Sequence, residues 1–207
     1  MNQHFWWYLA RATGIVAWAL ATGSVLWGMA LSTRALGSRP RAPWLLDLHR
    51  FLGGLTVAFV GVHLLSLAAD SYVEFSWRDL FVPMASNWKP GAVAWGVAAF
   101  YLLVAVEVTS LLMQRLPRRI WRAIHLASYV TYVLATVHFL TAGTDSGLVI
   151  VRLAAIVSTA AIVFFVAYLL VGPGRAASAR PSRPVPRSTN GGTAGSRVTR
   201  SLSKSPT

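Results

Sequence analysis

Five uninterrupted apolar stretches, at 8–31, 45–69, 92–113, 120–140 and 148–171, constrain this chain more than any other feature. Each is long enough to cross a hydrocarbon core of about 30 Å, which takes roughly 20 helical residues. The connecting segments are too short for a folded soluble domain, so the spans themselves must form the core. Ten-residue segments of alternating polarity, the signature of a membrane barrel, are absent, which leaves helices as the spanning elements. The expected fold is all-α: a polytopic bundle of five transmembrane helices over residues 1–172. The segment 173–207 is a separate basic, Pro/Ser/Gly-rich tail with too little apolar content to offset its ordering entropy, and is expected to be disordered. It is either a solvated tail that reinforces topology or an electrostatic contact for anionic lipid or a partner. Beyond the recurrence of apolar helices, the sequence shows no internal repeat.

Charge placement sets the orientation. The formal net charge of +13 raises the possibility of nucleic-acid binding, but seven of the 19 basic residues lie in the tail and most others flank the spans. Arg34, Arg39 and Arg41 occupy the first loop and Arg115, Arg118 and Arg119 the third, whereas the fourth, 141–147, has neither lysine nor arginine. Loops rich in arginine face the cytoplasm, so the C-terminus is expected inside and the N-terminus outside, with no role for nucleic acid. No removable signal peptide is expected before the first span. The strong preference for arginine over lysine and the abundance of alanine suggest a bacterial source, and hence a multi-pass protein of the inner or plasma membrane. Trp6, Trp7, Trp44, Trp88 and Trp121 fall near span boundaries, where indoles suit the membrane interface.

There is no cysteine. Disulfides, thiolate metal sites, iron–sulfur clusters and thioether-linked haem are thereby excluded, and any cofactor must be held by other ligands. Four of the five histidines lie inside spans: His49 and His63 in the second, His125 and His138 in the fourth. One such histidine reads as an interhelical hydrogen-bonding group, but two matched pairs read differently. The second and fourth spans run in the same direction, so His49 and His125 share one depth, near the cytoplasmic end, and His63 and His138 share another, near the outer end. Fourteen and thirteen residues separate the members on each helix, about 21 and 19.5 Å. A haem iron takes axial ligands from opposite faces of its macrocycle, and a neutral imidazole on each of two facing helices supplies them. Zinc would need a third or fourth ligand converging on the same point. Only Asp47 and Glu107 approach the inner depth, Asp47 reading as a solvated charge at a helix start and Glu107 as a partner for a basic group of the third loop. His4 is terminal and reads as unliganded.

Helical phase supports the second span, where fourteen residues return to within about 40° of the starting face. Thirteen residues in the fourth miss by about 140°, so tilt, a local bulge or attachment at different haem edges is required there. Gly53, Gly54 and Gly61, with Ala127 and Ser128, either admit a flat macrocycle close to the backbone or serve ordinary small-residue packing. Arg50 and Arg122 near the inner histidines, and Arg11 and Arg152 about one turn into the first and fifth spans, are candidates for binding haem propionates, with snorkelling to lipid headgroups as the alternative.

On these residues, His49-x13-His63 and His125-x12-His138 in alternate spans with the "LHRFLGGL" context of the first histidine, the chain resembles the ferric reductase-like transmembrane family. That family includes the membrane domains of NADPH oxidases and the haem-binding subunit of a periplasmic methionine sulfoxide reductase system. The resemblance covers roughly 8–171. It implies two b-type haems, one between His49 and His125 and one between His63 and His138, which carry electrons outward from a cytoplasmic donor. It also implies that the thirteen-residue spacing is workable. Many members append a flavin- and nicotinamide-binding domain after the last helix, and the tail here has no pattern of one. The expected function is therefore an electron-transferring b-type cytochrome served by a separate donor, a flavoprotein reductase, bound flavin or quinol, and by an extracytoplasmic redox acceptor. A quinol-linked cytochrome b subunit and a non-redox membrane protein with structural histidines are the two alternatives.

Overall fold

A computed structural model describes residues 4–33, 43–71 and 73–171. Arg34, Arg39, Arg41 and the tail Pro173–Thr207 lie outside the described residues. Five long helices, α1 (Phe5–Ser32), α2 (Pro43–Ala69), α4 (Pro90–Leu111), α5 (Arg118–Ala142) and α6 (Val149–Val171), are apolar and long enough to cross a membrane. The chain is a multi-pass membrane protein, and each helix begins and ends within three residues of its expected span. The starts have local causes: Pro43 opens α2, Pro90 opens α4, and Pro117 stands immediately before α5, positions where a missing N–H and a fixed φ cost a helix nothing.

Two short elements lie between the spans. The helix α3 (Trp77–Phe81) is set by a capping box, with Ser76 Oγ accepting from the Asp79 amide and the Asp79 carboxylate accepting from the Ser76 amide. The same hydroxyl and amide of Ser76 hold the Asp79 carboxyl below the ordinary carboxylate range. A 3-10 turn (Thr144–Gly147) joins α5 to α6. The segment around α3 folds over one end of the bundle, where Phe75 and Leu80 pack with Val93 and Val97 of α4 and against Leu64 and Leu67 of α2. Lys89, in the left-handed region at φ 41°, donates from Nζ to Thr141 O and ties this cap to the end of α5.

The helices pack as two hairpins. The closest pairings are α1 with α2 and α4 with α5, while α2 and α5 make almost no backbone contact. The helix α6 joins through Met29, Tyr132 and Ile162, and the buried Tyr132 hydroxyl bonds Ser158 Oγ at 2.8 Å and Thr159 Oγ1 at 3.0 Å.

The two hairpins back their histidines in the same way. Ala10, Gly14 and Gly28 on α1 have the spacing of Ala92, Gly96 and Ser110 on α4, and they meet equivalent histidines: Ala10 and Gly14 touch His63, and Ala92 and Gly96 touch His138. The equivalence escapes the sequence because it is carried by three small residues per hairpin within generic apolar helix.

A candidate cofactor site between two hairpins

The upper end of the bundle is taken here as the end where α1 begins. Between α2 and α5 the four intramembrane histidines form two pairs. The upper rings, His63 and His138, have centroids 6.5 Å apart at an interplanar angle of 79°. The lower rings, His49 and His125, are 6.0 Å apart at 80°. Two imidazoles bound through Nε2 at about 2.0 Å from a shared metal ion would have ring centres roughly 6 Å apart. Both gaps fit one ion seen from opposite sides.

The rings are held from behind. His63 Nδ1 lies 2.8 Å from Ala10 O, and His138 Nδ1 lies 2.8 Å from Ala92 O. A carbonyl can only accept, so each Nδ1 carries the proton and each Nε2 keeps its lone pair, the arrangement typical of metal-binding histidine. The lower rings meet hydroxyls instead, Ser24 Oγ at 3.4 Å from His49 Nδ1 and Ser110 Oγ at 3.4 Å from His125 Nδ1. Among the described residues no hydrogen bond is made by any of the four Nε2 atoms.

Glycine makes these approaches possible. A Cβ at Gly14 would lie 3.1 Å from His63 Cε1, one at Gly28 3.0 Å from His49 Cε1, and one at Gly96 2.7 Å from both Cε1 and Nδ1 of His138. The glycines that matter are therefore on α1 and α4, behind the rings. Of those expected on α2 to admit a macrocycle, Gly54 and Gly61 face open space and Gly53 faces Glu107.

The thirteen-residue spacing on α5 needs no break in the helix, which is α-helical from Arg118 to Ala142. Both ring pairs form with α5 unbroken, so no local bulge is involved.

Around the upper pair lies an apolar cavity lined by both rings, Gly14, Gly96, Trp7 and Trp18, among others, with Arg11 and Asp145 also in its wall. Trp18 stacks on Phe139 with centroids 4.7 Å apart and donates from Nε1 to Thr136 Oγ1 at 3.0 Å. At the lower pair Trp121 stacks on His125 with centroids 5.1 Å apart and planes 19° apart, and its Nε1 is buried with no hydrogen-bond partner. Trp7 and Trp121 are thus site residues as well as boundary indoles, a role that span position alone does not reveal.

The four candidate arginines are placed differently. Arg11 lies in the wall of the upper cavity and forms a two-pronged ion pair with Asp145. Arg152 is exposed and donates from Nε to Ser146 O. Arg50 is exposed and pairs with Asp47 at 3.5 Å, and Arg122 is exposed. Glu107 makes no ion pair with the third loop: it turns toward α2, where its Oε1 fills the space a Gly53 Cβ would occupy. Among the described residues, no three of His, Cys, Asp and Glu converge as a metal-binding group, so neither Asp47 nor Glu107 completes a zinc-type site with a histidine pair.

Residues 13–136 match the family model described as "Ferric reductase like transmembrane component". Over 102 residues the chain is 32% identical to the protein-methionine-sulfoxide reductase heme-binding subunit MsrQ of Azospira oryzae, a match that covers 47% of this chain and 41% of that protein. The chain thus spans about two fifths of the length of that relative. No solved structure matches.

Proposed function

Because this chain belongs to the ferric reductase-like transmembrane component family, we propose that it is a b-type cytochrome that holds two haems between its hairpins and conducts electrons across the membrane. The observation that carries the reading is the pairing of four imidazoles across the space between α2 and α5, each pair spaced for one ion and each Nε2 free of hydrogen bonds. Histidines serving only as interhelical polar contacts would use that nitrogen as well. Haem is favoured over a bare ion because each level offers two ligands and the upper pair lies in an apolar cavity.

In this reading His63 and His138 bind the upper haem and His49 and His125 the lower. The macrocycle supplies the one-electron couple when bound. The chain's residues do the rest. Ala10 O and Ala92 O fix the donor nitrogens of the upper pair, and Gly14, Gly28 and Gly96 let the rings sit against their neighbours. The cap around α3 keeps water from the upper site. Arg11 is the best placed of the four arginines to meet a propionate, since it already lies in the cavity wall. At the lower level the unpaired Trp121 N–H is a ready donor to an anionic haem edge, with Arg50 and Arg122 at that membrane face, while Arg152 lies at the upper face. With the upper end external, as the loop charges favour, electrons enter from a flavin or quinol at the lower end. They leave to an extracytoplasmic redox protein, for which a methionine-sulfoxide reductase is the candidate that the MsrQ likeness suggests.

The test is a reduced-minus-oxidised spectrum of the purified full chain with haem quantified per polypeptide. Two haems b per chain are expected, with low-spin electron paramagnetic resonance signals of the strongly anisotropic type that crossed axial rings produce. One haem removes a site, and none ends the reading.

A further inference from the structure

Glu107 is an acidic side chain inside a membrane-spanning helix, and its place in the bundle explains why it is there. It lies three residues above Ser110, the residue that touches His125, and so about 4.5 Å toward the membrane centre from the lower pair. Gly53, against which its carboxyl rests, lies four residues above His49 on α2. Both coordinates put the carboxyl between the two histidine levels, close to the lower one. Gly53 is buried and Glu107 half-buried. The notch is specific, because a Cβ at Gly53 would overlap Oε1 and come within 3.3 Å of Cδ.

The titratable and charged groups on neighbouring helices lie elsewhere. On α2 these are His49 and the Asp47–Arg50 ion pair below Gly53, and His63 of the upper pair above it. On α5 they are His125 and the exposed Arg122 near the lower end and His138 in the upper pair, with Tyr129 packed toward α1 and α6 and Tyr132 bonded to α6. On α3, Arg78 and Asp79 sit at the opposite end of the bundle. Among the described residues Glu107 has neither an ion pair nor a hydrogen bond. Arg115, Arg118 and Arg119 are exposed beyond the lower pair, on the far side of it from the carboxyl.

An unpaired carboxylate inside a membrane span is costly, and such groups mark proton or ion pathways. The positive charge that could stabilise it is the one that comes and goes at the lower site. A porphyrin dianion with ferric iron and two neutral imidazoles carries one net positive charge, and the ferrous form carries none.

We propose that Glu107 is a redox-linked protonation site of the lower haem, an inference that rests on the cytochrome reading above. When one electron from a reduced flavin or a quinol takes the lower iron from ferric to ferrous, one proton from water at the lower face binds a Glu107 carboxylate oxygen. When the electron moves on to the upper site, the iron returns to ferric and the proton leaves. Charge at the lower site, haem and carboxyl together, is the same at each stage. Because coupling is reciprocal, the carboxylate form favours ferric iron, and the lower midpoint potential falls as pH rises through the titration of Glu107.

Redox titration of the full chain at pH 6, 7 and 8 tests this, with the lower component identified as the one missing from His49→Ala. In the wild type the lower midpoint should fall with pH by up to 59 mV per unit, the one-electron equivalent of a tenfold change in proton activity, while the upper stays flat. Glu107→Gln should flatten the lower slope and remove a carboxylic C=O band from the redox-induced infrared difference spectrum. Glu107→Asp, which keeps the acid, should retain both and serves if the glutamine variant fails to assemble. A slope and a band that survive in Glu107→Gln, or a lower midpoint that is flat with pH in the wild type, would overturn the proposal while leaving the cytochrome intact. Purified protein without haem would overturn both.

Discussion

The two histidine levels are built from the same parts to different standards. At the upper level both rings are anchored on backbone carbonyls at 2.8 Å, flanked by Gly14 and Gly96, and lie in an apolar cavity beneath a folded cap. At the lower level the anchors are serine hydroxyls at 3.4 Å, one flanking glycine is replaced by Ser110, and a carboxyl lies nearby. A carbonyl allows one tautomer, whereas a hydroxyl can donate or accept and leaves the choice open. The upper site is thus fixed by the chain trace itself and the lower by side chains that can be exchanged. On the proposed direction of transfer, that difference suits a rigid exit and an adjustable entry for electrons.

The largest expected effect comes from removing a ring. His63→Ala or His138→Ala should lower the haem content from two to one per chain and spare the lower signal, and His49→Ala or His125→Ala should do the reverse. Each double variant within a level should resemble its singles, since both changes act on one site. Loss of both haems on a single change would show that the levels are not independent.

Next comes crowding behind the rings. Gly96→Ala sets a Cβ 2.7 Å from the His138 ring, against 3.0 Å for Gly28→Ala at His49. Overpacking of about 1–3 kcal/mol should weaken haem retention at the upper site roughly ten- to hundredfold in Gly96→Ala. Retention at the lower site in Gly28→Ala should change only a few fold. Haem transfer to an apo-globin acceptor measures both.

A smaller effect is expected from the lower anchors. Ser24→Ala or Ser110→Ala removes a long hydrogen bond worth about 0.5–1 kcal/mol, so the lower midpoint should move by roughly 20–40 mV with the upper unchanged. An equal shift at both levels would erase the distinction drawn here.

The smallest effects concern the arginines. Arg11→Gln should broaden or shift the upper signal modestly, because Arg11 lies in that cavity wall. Arg50→Gln should leave both spectra alone, since its exposed pair with Asp47 is worth at most about 0.5 kcal/mol.

Much of this was legible in the sequence. Spans need only length and apolarity, and the depth argument that matched His49 to His125 and His63 to His138 needs only the rise per residue and a common direction; the structure brings those same rings together. What backs the rings was not legible. Gly14, Gly28 and Gly96 look like ordinary small residues of membrane helices, and their purpose depends on which helix packs behind which. Trp121 reads as an interfacial indole until its ring is seen on His125. Glu107 was expected to meet the third loop because distance along the chain favours it, but its side chain turns to the notch at Gly53 on another hairpin. Of the three ways offered to close the helical phase on α5, a local bulge is absent, since the helix is unbroken.

The near absence of contact between α2 and α5 bears on how the protein is made. Each hairpin can insert and close on its own during synthesis, as neighbouring membrane helices do before they associate laterally. On the proposed reading, the newly synthesised protein is then two tethered halves that wait for their pigment, with α1 against α5 and α2 against α4 as the direct bridges between them. Binding to the joined state alone pulls the equilibrium toward it. The supply of haem to the membrane would then set how long each copy escapes proteolysis, and a cell short of iron would lose the protein itself along with its activity.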